Sequence, residues 1–134
     1  MNTVFRPLVI STLIAAVINQ VVYFVAVEFF GVAFVLATAD SASIPLMTPA
    51  LLTVSGGIIG GFMGASIASR TGSPKNVWLS ITLVALALSF VLPLLGIESQ
   101  PAALWLNGMH VVAGALIIPM VRQALPSAKA TPED

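Results

Sequence analysis

The sequence contains no cysteine, which excludes disulfides, a thiolate nucleophile and Cys-ligated zinc, haem or iron–sulfur centres. Charge is almost as scarce. Only 7% of the 134 residues are Asp, Glu, Lys or Arg, against roughly 25% in soluble domains. So little charge cannot cover a water-facing surface, and a soluble globular fold is excluded. Five basic residues balance five acidic ones, leaving no positive surplus for nucleic acid. There is one histidine. Zinc takes three or four ligands and haem a second strong ligand or an open distal pocket; Met63 and Met109 do not fill those roles, so no metal or cofactor is expected. GxSxG, HExxH, a phosphate loop and paired intramembrane carboxylates are all missing, leaving hydrolase and metalloprotease chemistry without support.

What is present is apolar: 58% of the residues are hydrophobic. Charge-free blocks run Leu8–Val27, Ile44–Ser69, Asn76–Ile97 and Gln100–Val121. Each supplies the ~20 helical residues that cross a ~30 Å hydrocarbon core, and none shows the alternation of a barrel strand. Each opens near a proline (Pro7, Pro49, Pro74, Pro101), which suits a first helical turn. Thr48 and Ser73 stand where N-caps are wanted. Gly31, Gly72 and Gly96 stand where left-handed C-caps are wanted, and Pro126 closes the last block. The expected fold is all-α: a four-transmembrane-helix up-down bundle with helices at about 7–30, 48–70, 74–95 and 101–123. It forms a single domain over 1–125, followed by a polar cytoplasmic tail over 126–134. The first helix should break near Gly31, leaving Val32–Leu36 at the interface or over the bundle's outer mouth. Ala37-Thr38-Ala39 fits a signal-peptidase site, but the apolar stretch before it is about twice a signal h-region, so helix 1 is expected to remain.

With four spans, Arg6, Arg70, Lys75, Arg122 and Lys129 fall on one side, and Glu28, Asp40 and Glu98 on the other. The positive-inside rule then places both termini in the cytoplasm. Trp78 and Trp105 fit interfacial aromatic belts, and Glu28 an interfacial carboxylate.

Two groups of residues invite a functional reading. Half of the glycines lie in helix 2: Gly56, Gly57, Gly60, Gly61 and Gly64. Thr53, Gly57, Gly60, Gly64 and Ala68 form one stripe of small residues, the pattern by which helices approach closely in lipid. It serves packing inside the bundle, a homo-oligomer seam, or both, and leaves no room for a bulky residue at Gly60. The second group is polar: Asn19 and Gln20 in helix 1, Ser55 in helix 2, Ser89 in helix 3, Asn107 and His110 in helix 4. These lie at comparable depth. Polar groups in lipid need partners, so they should face one another, as a hydrogen-bonded clasp, as a ligand pocket, or around His110 as a proton carrier. Pro93 and Pro119 each remove one helical hydrogen bond, from the carbonyls of Ser89 and Ala115, and should bend or fray a terminal turn.

In size the chain resembles the small multidrug-resistance transporters. Their deep helix 1 glutamate is replaced here by Asn19 and Gln20, and the basic residues are too one-sided for dual topology. A second resemblance rests on Asn19, Gly31, Ser89 with Pro93, and Met109-His110 followed by Ala113, Gly114 and Pro119. In these residues the chain resembles a family of small bacterial four-helix membrane proteins of unknown function. The resemblance implies the fold and a bacterial plasma membrane, and no activity; the glycines of helix 2 lie outside it. The leading expectation is a non-enzymatic structural or accessory subunit whose partners are the bilayer and a homo-oligomer or larger membrane complex. A small transporter, or a lipid- or small-molecule-binding protein with its pocket at the Asn19/His110 level, is the alternative. An intramembrane enzyme ranks third.

Overall fold

The computed structural model describes residues 2–127. Lys129 and most of the expected tail lie outside these residues. The helices are α1 (Asn2–Phe30), α2 (Thr48–Ala68), α3 (Pro74–Ser89), α4 (Val91–Gly96) and α5 (Gln100–Ala124). Four helices are long and apolar enough to cross a membrane, with α3 and α4 counting as one, Pro74–Gly96. No strand occurs among the described residues; two isolated backbone bridges join Val35 to Ser43 and Leu36 to Ile97.

The helix termini differ from the expected ones in instructive ways. α1 starts before Pro7 and carries that proline inside it. The missing N–H removes a single bond near the helix start, which the chain tolerates. Met47, rather than Thr48, occupies the cap position of α2, and Ser73 caps α3 without a side-chain hydrogen bond. The side chain that does cap is Ser99, whose Oγ accepts from the Ala102 N–H at 3.3 Å. Among the glycines only Gly31 is left-handed, at φ +63°, and it ends α1. Pro93 splits the third span rather than fraying its end. It has no N–H for the Ser89 carbonyl, and the chain turns at Phe90, whose N–H bonds the Ala87 carbonyl three residues back. Pro119 stays within a continuous α5.

Two buried clusters hold the bundle. The first gathers Leu8 of α1, Ala65 and Ala68 of α2, Trp78 of α3 and Val121 of α5. Trp78 is 1% exposed and donates Nε1–H to the Ile118 carbonyl at 2.9 Å, so this indole is a core residue and not a membrane-belt anchor. The second cluster gathers Tyr23 and Ala26 of α1, Phe34, Ile97, and Ala102 and Met109 of α5. Here the segment after Gly31 folds back over the bundle. Phe34 stacks on Tyr23 with centroids 4.5 Å apart. The Tyr23 hydroxyl donates to the Ile44 carbonyl, and the Gln20 amide to that of Leu46, each at 2.8 Å. Ser41 Oγ donates to the exposed Glu98 carboxylate at 2.6 Å, fastening the same segment to the link before α5.

Small residues determine how closely the helices approach. A Cβ on Gly57 would lie 2.6 Å from Thr12 Cγ2, and one on Gly61 would collide with Leu8. These two positions seat α2 on α1. Gly64 accommodates Trp78, 3.1 Å from where its Cβ would be, and Gly114 accommodates Leu86 at 3.0 Å, bringing α3 onto α2 at one end and onto α5 further along. Gly56 and Gly60 differ from these: a Cβ at either meets nothing within 4 Å. The stripe expected to run through Gly60 is therefore shifted. Gly57, Gly61 and Gly64 carry the packing, because α2 faces α1 along the 57/61 file while a Cβ on the 56/60 file meets no neighbour.

Candidate functional site

α2 and α3 touch where Gly64 meets Trp78, and residues of these two helices and of α5 line a groove of about 390 Å³. Its wall on α2 includes Gly56, Gly57, Gly60 and Gly61; α5 forms the floor through residues such as His110 and Gly114; Asn19 of α1 reaches it from behind. Among the described residues no Asp, Glu, Lys or Arg lines it, and its polar side chains are Asn19, Thr53, Thr82, Ser89 and His110, with the Trp78 indole.

Of the six polar residues singled out from the sequence, three share this groove: Asn19, Ser89 and His110. The other three do not. Gln20 bonds the Leu46 carbonyl. Ser55 is exposed and returns its hydroxyl to the Leu51 carbonyl at 2.9 Å. Asn107 is absent from the lining and keeps a buried, unpartnered Oδ1. A direct four-helix clasp is not formed among the described residues. Among the described residues, a bond between side chains of two spans runs from Asn19 Nδ2 to Thr53 Oγ1, at 3.0 Å. Ser89 donates to Leu86 of its own helix at 2.7 Å, and His110 Nδ1 lies 2.8 Å from the Leu106 carbonyl one turn back. Serine and threonine hydroxyls commonly bond the preceding turn in this way, and helical geometry offers that partner before any other helix can.

The arrangement fixes donor and acceptor roles. A carbonyl only accepts, so Nδ1 of His110 carries the hydrogen and Nε2 of the neutral ring holds the lone pair. The edge of this ring meets Phe90, with centroids 6.5 Å apart and planes at 89°, at the turn that Pro93 imposes on the third span. Asn19 is 2% exposed, and its Oδ1 has no hydrogen-bond partner. By helical rise, Asn19 lies about 16 Å from the end of α1, and His110 about 15 Å from the start of α5.

Thr53 and Thr82 went unrecognised as polar contributors in the sequence. Thr53 was legible as one of the small residues of helix 2. Its place three and four residues before Gly56 and Gly57 puts it on the same helix face, which is the signal that could have paired it with Asn19. Thr82 carries no comparable mark.

No curated protein and no solved structure matches the chain. A family match does exist, described only as a family of unknown function, DUF6069, and it extends over residues 1–127. With four apolar helices and a match over nearly its whole length, the chain belongs to that family.

Proposed function

We propose that this chain is a non-enzymatic multi-pass membrane protein that binds an amphiphilic small molecule or lipid in the groove between α2 and α3. The observation that carries this reading is the set of polar side chains Asn19, Thr53, Thr82, Ser89 and His110 inside a groove otherwise walled mainly by apolar residues. Polar groups at this depth are costly in lipid unless they are paired. His110 has no second ionisable group among the groove residues, which weighs against a proton relay or general-base role. The bundle is taken as up-down, in a bacterial plasma membrane with both termini cytoplasmic. Arg6, Arg70, Lys75 and Arg122 on one side against Glu28, Asp40 and Glu98 on the other support that orientation.

A second reading is favoured by the bare face of Gly56 and Gly60. Such small-residue pairs seat a partner helix, which would make the chain an accessory subunit or homo-oligomer. One experiment separates the two. Native mass spectrometry after mild detergent extraction compares the wild type with Gly56→Leu/Gly60→Leu, which fills the groove. A bound lipid mass lost in the variant supports the groove reading. A dimer mass converted to monomer supports the second. Identical spectra for both proteins would remove support from both.

A further inference from the structure

Most of the hydrogen-bonding capacity left over in the groove is acceptor capacity, and none of it is charged. Ser89 donates to the Leu86 carbonyl, and Thr82 to the Trp78 carbonyl at 2.8 Å. The Trp78 N–H is given to Ile118 and one of the two Asn19 amide hydrogens to Thr53. Each hydroxyl that has donated its hydrogen can now only accept. Asn19 Oδ1, on a side chain 2% exposed, has no partner at all, and Nε2 of His110 is an acceptor by its tautomer. Among the described groove residues the Thr53 hydroxyl hydrogen and the second Nδ2 hydrogen of Asn19 are the donors left over. The groove therefore presents more acceptors than donors, at least two of the acceptors unengaged, on apolar walls with no charged side chain among the described residues.

Resting on the groove reading, we infer that the occupant is an uncharged long-chain lipid alcohol. Its hydroxyl donates to Asn19 Oδ1 or His110 Nε2, and its hydrocarbon chain lies along Gly56 and Gly60. A phosphate or carboxylate headgroup needs cations or several converging donors, and the described groove residues offer no cation and two neutral donor hydrogens. An ammonium headgroup needs an anion to offset its desolvation, and no carboxylate lines the groove. The acceptors lie about 15 Å from the helix ends, half the depth of a ~30 Å hydrocarbon core. A hydroxyl reaches that level on a molecule with no strongly hydrated headgroup holding it at the interface. This favours a single-chain alcohol over a glycerolipid. The bare Gly56/Gly60 wall accepts such a chain without displacing a side chain.

The test uses radiolabelled geranylgeraniol bound to the whole protein in phosphatidylcholine nanodiscs, with empty nanodiscs subtracted. Unlabelled geranylgeraniol is expected to compete about tenfold better than geranylgeranyl acetate, which keeps the chain and lacks the donor; one hydrogen bond at an otherwise unsatisfied acceptor is of that order. Geranylgeranyl phosphate and dioleoylglycerol should compete no better than the acetate. His110→Leu and Asn19→Leu should each bring the alcohol-to-acetate ratio toward one. Should Asn19→Leu fail to fold, His110→Leu alone carries the comparison. If Gly56→Leu/Gly60→Leu blocks alcohol and acetate that bind the wild type equally, the groove reading stands and the donor inference is overturned. A phosphate or dioleoylglycerol that outcompetes the alcohol overturns it too. Label that binds equally to wild type and blocked variant overturns the groove reading itself.

Discussion

Asn19 Nδ2 donates to the Thr53 hydroxyl at 3.0 Å, while Oδ1 of the same side chain stays buried and unpartnered. One amide thus links α1 to α2 and leaves its second half for something else. Thr53→Val should strip the amide of its protein partner and cost about 0.6–2 kcal/mol, the range of an interhelical bond in lipid and of an unsatisfied buried donor. The thermal midpoint in detergent measures this. An unchanged midpoint would mean that the bond contributes nothing.

The glycines of α2 should divide into two classes. Gly57→Leu and Gly61→Leu push side chains into Thr12 and Leu8, and both are expected to lower the melting temperature sharply or prevent folding. Gly60→Leu meets open space and improves helix propensity, so its melting temperature should match or exceed the wild type. A Gly60→Leu protein that melts as poorly as Gly61→Leu would contradict the helix rotation described above.

Tyr23 anchors the segment that covers one end of the bundle. Tyr23→Phe keeps the stack on Phe34 and removes the bond to the Ile44 carbonyl, a loss of about 1 kcal/mol. Hydrogen exchange over residues 32–47 should quicken by roughly fivefold, which is that energy expressed as an opening equilibrium, while exchange within α2 stays as it was. Equal acceleration everywhere would show a global effect and not a local anchor.

Topology is open to direct chemical labelling, since the sequence lacks cysteine. Ser43→Cys should react with an impermeant thiol reagent added outside intact cells, and Ser73→Cys and Ser127→Cys should not. Outside labelling of Ser73→Cys would refute the proposed orientation.

Several features were legible in residues alone because they depend on composition and local backbone chemistry. Four charge-free blocks of sufficient length correspond to the four long apolar helices, since a helix is the one element that satisfies its backbone within a single segment in lipid. Gly31 was readable as a break because glycine takes a left-handed φ at little cost, and the five glycines of α2 were readable as a close-packing signal. Tertiary structure decided which way each helix turns. The sequence spaces Gly56 and Gly60 just as it spaces Gly57 and Gly61, yet only the second pair meets α1. The periodicity of a glycine file fixes its direction along the helix and not its azimuth. The same holds for the polar residues. Asn19, Gln20, Ser55, Ser89, Asn107 and His110 share a depth, but a hydroxyl or imidazole finds a carbonyl one turn away before it finds another helix. Whether the remaining acceptors converge depends on how α1, α2, α3 and α5 pack around the groove. One contact in that packing sets the Trp78 indole against Gly64, residues 14 positions apart in sequence, which no local pattern announces.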